Sequence, residues 1–137
     1  MKNLLILAML LIAGTTFAQE GVKLTGNTLT IKTTPPTWPG CEGKSNELRS
    51  CFSTKLSEHI SSNFKFPEGY KSDGTKQKVT VEFIINTEGK PQILKVTGGT
   101  KVLQDEAKRN IMLIPEMTPG NAGGKPRATK YTVPFTF

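Results

Sequence analysis

The sequence predicts a two-layer α+β domain, with two helices packed on a three-stranded antiparallel sheet in the order helix, strand, strand, helix, strand. Three observations predict it. Val79, Val81, Phe83 and Ile85 alternate with Thr80, Glu82, Ile84 and Asn86, the period-two pattern of a half-buried strand rich in β-branched residues. Leu48, Phe52, Leu56 and Ile60 recur every fourth residue, a narrow apolar stripe along one side of a helix. Tyr131, Val133, Phe135 and Phe137 alternate again at the end of the chain. An isolated pair of strands is marginal in water, so the apolar sheet face needs the helical stripes to cover it.

Residues 1–18 stand apart from that domain. Lys2 gives a short positive region, Leu4 to Ile12 an apolar run, and Thr16-Phe17-Ala18 a small-x-small end. This pattern predicts a secretory signal peptide cleaved after Ala18. The apolar run is short for a bilayer span, and no later segment is apolar enough for one. The mature chain is therefore expected to be soluble and outside the cytoplasm. Residues 19–34, with Val22-Lys23-Leu24 and Thr28-Leu29-Thr30-Ile31 around Gly26-Asn27, read as an N-terminal arm or a small hairpin. The domain itself is expected over residues 35–137.

Pro35, Pro36 and Pro39 deny helix and central strand to the stretch that ends at Gly40. Ser45 is placed to cap a helix beginning at Asn46 or Glu47. Cys41 and Cys51 are the two cysteines of the chain. In an oxidising compartment they predict a structural disulfide that staples the start of this helix to the Pro-Gly turn. His59, the only histidine, falls at the border of the apolar stripe, as a boundary residue. Phe64 extends the stripe and Pro67 ends the segment.

After a polar loop, residues 77–97 form the expected hairpin. Asn86 opens a type I turn, and Gly89 takes the left-handed position that the following bulge requires. Ile93 to Thr97 returns. Leu103, Ala107, Ile111 and Ile114 mark the second helix, with Asp105 and Arg109 as a favourable i,i+4 pair and Pro115 as its stop. Residues 118–126 read as loop. The last strand, from Ala128 to Phe137, contains Pro134, which assigns at least part of it to a sheet edge.

The formal charge of +7 falls to +6 when Lys2 leaves with the signal peptide. The Lys and Arg residues are dispersed and not interleaved with aromatics, so no nucleic-acid platform is expected. Lys71, Lys76, Lys78, Lys90 and Lys95 form the densest group, a weak anion-site candidate. A lone histidine without a motif predicts no catalytic centre, and nothing has the clustering of a metal site. Gly120 to Lys125 lacks both the length and the Ser/Thr of a phosphate loop. No cofactor and no enzymatic activity are expected.

Several motifs nevertheless occur together in order. They are Trp38-Pro39-Gly40-Cys41-Glu42-Gly43, Cys51-Phe52, Phe66-Pro67, Val79 to Ile85 followed by Glu88-Gly89-Lys90, and Asp105-Glu106-Ala107. Pro115, Pro119-Gly120 and the closing Tyr131 to Phe137 complete the set. Over about residues 35–137 the chain resembles the C-terminal domain of TonB proteins, in the form common among Bacteroidetes. The resemblance implies a periplasmic module that binds the TonB box, an extended segment of an outer-membrane transporter, beside its last strand. By position the edge that would take it carries Arg127, Thr129, Lys130, Tyr131, Thr132, Val133 and Phe135. The competing expectation is a purely structural strand whose edge the N-terminal arm covers. The chain has Glu116-Met117-Thr118 where the family often has an aromatic between prolines. It also shows neither the retained membrane helix nor the long linker through which TonB couples to ExbB and ExbD. The reading is thus a stand-alone binding module rather than an energy transducer. The alternative is an envelope protein that uses the fold to bind peptidoglycan or another periplasmic protein. An open edge is also compatible with a strand-exchanged homodimer.

Overall fold

The structure, a computed structural model, describes residues 22–137 apart from 26, 27 and 72. The expected signal peptide over residues 1–18 lies outside the described residues. In chain order the elements are β1 (Val22–Thr25), β2 (Thr28–Ile31), β3 (Thr33–Thr34), α1 (Ser45–Asn63), β4 (Lys78–Ile85), β5 (Pro91–Thr97), α2 (Lys101–Met112), β6 (Gly120–Ala122), β7 (Lys125–Arg127) and β8 (Thr129–Thr136).

The principal sheet has the order β5-β4-β8 and is antiparallel throughout. β4 lies at its centre because its sequence is the most consistently alternating. Val79, Val81, Phe83 and Ile85 are all 0% exposed, and they form the floor of the core. Leu48, Phe52 and Leu56 of α1 and Leu103, Ala107 and Ile111 of α2 cover that floor, joined by Ile114 and Met117 beyond α2. The other side of β8 shows Lys130, Thr132, Pro134 and Thr136 exposed. One dry face and one wet face explain the period-two pattern.

Asn86 closes the β4–β5 turn as its sequence predicts. Its carbonyl accepts from the Gly89 amide at 3.0 Å, and its Oδ1 accepts from the amides of Glu88 and Lys90 at 2.9 and 3.0 Å. Gly89 has φ +82°, and a Cβ there would fall 1.6 Å from the Met117 carbonyl oxygen. Glycine is required at this point both by conformation and by space. The register of β5 slips between Glu82 and Phe83, leaving Leu94 as an extra residue; such a bulge bends and twists the strand.

The N-terminal segment adopts the hairpin alternative, with Val22 opposite Ile31 and Thr25 opposite Thr28. Beyond it, β3 pairs with β6, and Thr37 bridges to Thr118. Residues 118–126 are therefore not simply loop. They contain the β6–β7 hairpin, turned at Gly123 and Gly124, which have φ +60° and +84°. A two-residue turn with both residues in the left-handed region matches strand twist. Strands of three residues are too short to show alternation, so the sequence concealed a second sheet in the order β3-β6-β7. The helix-strand-strand-helix-strand frame is present, with β1–β2 and the β3-β6-β7 sheet added to it.

Cys41 and Cys51 are bonded, with Cα atoms 6.0 Å apart. The disulfide fixes the Trp38 turn on α1, and Trp38 meets Phe52 and His59 edge-on, with centroids 5.6 and 5.8 Å apart. Two local expectations are corrected. Ser45 is not the cap of α1: Lys44 takes that position, and its amide donates to the Glu47 carboxylate at 2.7 Å. The Ser45 hydroxyl reaches instead toward the Thr33 carbonyl. Asp105 does not pair with Arg109. It binds Lys101 at 3.0 Å, while Arg109 binds Glu106 at 2.7 Å. Glu106 is only 8% exposed, so the guanidinium goes to the carboxylate that burial most deprives of water.

Candidate functional site

β8 is an edge strand, and its register determines which backbone groups face outward. Gln77 and Phe137 exchange both of their amide–carbonyl bonds, at 2.9 and 3.2 Å. In an antiparallel ladder such pairs alternate with non-bonded ones. Val79–Phe135, Val81–Val133, Phe83–Tyr131 and Ile85–Thr129 are therefore the bonded pairs in the same register. Thr129, Tyr131, Val133 and Phe135 direct their backbone groups to β4. Lys130, Thr132, Pro134 and Thr136 direct theirs away from the sheet. No other strand pairs with this side of β8 among the described residues. Pro134 has no amide to offer, and it stands at an outward position, where its absence removes no bond from the ladder.

The expected edge residues thus divide. Arg127 belongs to β7, opposite Gly120, and Ala128 separates it from β8. Tyr131 and Phe135 turn into the domain. Tyr131 stacks on Phe52 with centroids 4.4 Å apart and on Phe83 at 5.6 Å. Burial pushes its phenol pKa up, and the nearby Arg49 charge opposes that shift. Lys130 and Thr132 remain on the open side, and Lys130 reaches back to Glu82 at 3.1 Å.

A groove runs between this edge and α1. The core stripe of α1 has a second stripe beside it, one residue further on: Arg49, Ser53, Ser57 and Ser61. Ser53, Ser57 and Ser61 line an open cleft of about 420 Å³ with Ile60, Val133 and Pro134. At the start of β8, Arg49, Arg127, Lys130 and Tyr131 border another of about 420 Å³, which Thr34 and Asn121 also line. This groove was missed at the sequence level. The signal present was the fourfold spacing of small residues next to an apolar stripe, which identifies a close-approach face only once its neighbour is known.

The lysine group does not become one patch. Lys78 opens β4 and Lys90 precedes β5 at the opposite end of the same hairpin, about 24 Å away for a strand of this length. His59 keeps its boundary role: Nε2 lies 2.9 Å from the Asn110 carbonyl oxygen, and Nδ1 lies 3.3 Å from the Asn63 side-chain nitrogen. No helix among the described residues is long and apolar enough to cross a membrane.

The fold and its open strand define a class, a small two-layer α+β domain that presents one unpaired sheet edge beside a helix. Residues 62–137 match the family described as Gram-negative bacterial TonB protein C-terminal, and the chain belongs to that family. Domains of that family are periplasmic, typically bind outer-membrane transporters and are in general not enzymatic. The match begins in the last turn of α1, so the disulfide lies outside the matched residues. No curated protein and no solved structure matches the chain.

Proposed function

We propose that this chain is an exported periplasmic binding module that takes up an extended segment of an outer-membrane transporter by strand addition at β8. The observation that carries the reading is the open side of β8, where the amides of Lys130, Thr132 and Thr136 have no backbone partner among the described residues. An extended peptide satisfies such groups through its own backbone, and its alternate side chains supply selectivity. Family membership supports the choice of partner.

The register also selects the test. Val133→Pro would break a bond between β8 and β4, whereas Thr132→Pro removes an amide that faces outward. The full chain should recover outer-membrane transporters from detergent-solubilised envelope, and Thr132→Pro should lose them while melting near the wild-type temperature. On addition of the bound segment, the amides of Lys130, Thr132 and Thr136 should become protected from hydrogen exchange. Equal recovery by the folded Thr132→Pro chain would sink the strand-addition reading and leave the fold as a scaffold for another envelope ligand.

A further inference from the structure

The lysines singled out in the sequence do not gather, but three other cations do. The cleft at the start of β8, of about 420 Å³, is lined by Arg49 of α1, Arg127 of β7 and Lys130 of β8, and no carboxylate lines it. Lys130 is engaged by Glu82 at 3.1 Å. Arg49 makes only a long contact, 3.5 Å, to the Asn46 side chain, and neither arginine has an ion pair among the described residues. The Arg49 charge is felt at the Tyr131 phenol, which lines the same cleft. Asn121 of β6 adds a donor. Its Oδ1 accepts from the Gly124 amide at 2.8 Å, and its side-chain nitrogen has no bond among the described residues. The β6–β7 hairpin thus brings Asn121 and Arg127 to a helix of the main domain, and strand addition at β8 gives that hairpin no task.

We infer that this cleft binds a phosphoryl group, as a phosphate monoester or free phosphate, held by the guanidiniums of Arg49 and Arg127. Two guanidiniums without a counter-charge match the charge of about −2 that a phosphate monoester carries at neutral pH. Its three terminal oxygens accept from several donors at once, and the planar fork of arginine meets them in two-point contact. A single carboxylate would leave one guanidinium unanswered. The site needs no guest strand on β8, so it stands or falls separately from the strand-addition reading.

Nuclear magnetic resonance titration of the full chain at constant ionic strength tests this, with inorganic phosphate, glycerol phosphate and acetate as probes. Both phosphates should shift the amide signals of Arg49, Asn121, Arg127 and Tyr131 along saturable curves. Acetate should bind about tenfold more weakly, the worth of one charge-assisted hydrogen bond. An Arg49→Gln, Arg127→Gln chain, checked for folding by melting, should bind phosphate about a hundredfold more weakly, one tenfold step for each arginine. An Arg49→Lys, Arg127→Lys chain keeps the charge without the fork and should fall between the two. Phosphatidylcholine vesicles with and without phosphatidic acid, whose headgroup is a phosphate monoester, identify the source. Capture by the phosphatidic acid vesicles alone, weakened in the lysine variant, assigns the site to a lipid headgroup. A response to the soluble phosphates without capture assigns it to a free phosphorylated molecule. The phosphoryl site is overturned if neither phosphate nor vesicle binds, or if acetate binds as tightly as phosphate. Binding that persists in the glutamine variant overturns the assignment to these arginines, and wild-type binding by the lysine variant reduces the site to general attraction between charges.

Discussion

Arg109 shows how a single side chain can hold two elements together. Its guanidinium donates to both carboxylate oxygens of Glu106, at 2.7 and 2.8 Å, and to the Asn63 carbonyl at the end of α1, at 2.5 Å. Glu106 also accepts from the Lys65 amide at 2.9 Å. The hydrogen bonds from Arg109 hold the Glu106 carboxyl below its usual pKa, with burial opposing and the Lys65 amide assisting. A carboxyl whose pKa is depressed on folding adds stability that is complete above its unfolded value and lost as pH falls through the folded one. Melting temperature should therefore drop on acidification below about pH 4.5, the ordinary value for such a group. Glu106→Gln, which has no charge to lose, should show a shallower acid limb and a neutral-pH stability lower by about 1 kcal/mol, a modest figure because Arg109 is partly solvated. Parallel acid limbs for the two proteins would show that the pair contributes nothing. Asp73, bonded by Thr75 and also lowered, titrates in both proteins, so the difference between them isolates Glu106. Neither partner of Arg109 was legible in the sequence. The spacing to Asp105 and to Glu106 is equally acceptable on a helix surface, and only the depth of each carboxylate decides between them.

At the scale of elements, the disulfide and the turn glycines carry the clearest expectations. The Cys41–Cys51 bond closes a short loop, with a sequence separation of 10, and is worth about 3 kcal/mol on the chain-entropy account. Cys41→Ser should lower the melting temperature under oxidising conditions and change little under reductant; equal effects in both would mean that the bond does not stabilise the fold. Gly69 and Gly89 have nearly the same backbone angle, φ +79° and +82°, but a Cβ on Gly69 meets nothing within 4 Å. Gly69→Ala should cost about 1 kcal/mol, the conformational term alone. Gly89→Ala should cost at least about twice that, because Met117 must move. Urea midpoints would separate the two, and similar losses would show that the Met117 contact yields freely. Both helices and the three long strands were legible, because each repeats its pattern over several turns or pleats. β3, β6 and β7 were not. They are two or three residues long, and β7 is exposed throughout and contains Pro126, so pairing holds them without a periodic apolar face.

For the whole molecule, the open edge was legible from one residue, Pro134, whereas the groove beside it depends on a contact between α1 and β8 that lies more than seventy positions apart in the chain. Sequence periodicity reports which face of an element is buried but not what stands next to its other faces. The same register reveals a symmetry between the two edges of the principal sheet. Asn86 donates to the Lys90 carbonyl at 2.9 Å, so the next pair, Ile85 with Pro91, is a non-bonded one and Pro91 also faces outward. Each outer strand thus has a proline where a further strand would look for an amide. Restoring the donor at both edges, in a Pro91→Val, Pro134→Val chain, should increase self-association measured by light scattering; an unchanged mass would show that these prolines do not limit it. In the native chain the sheet resembles a tile whose two free borders are notched. A short neighbour fits alongside either border, whereas a long row of such tiles meets a notch at every joint.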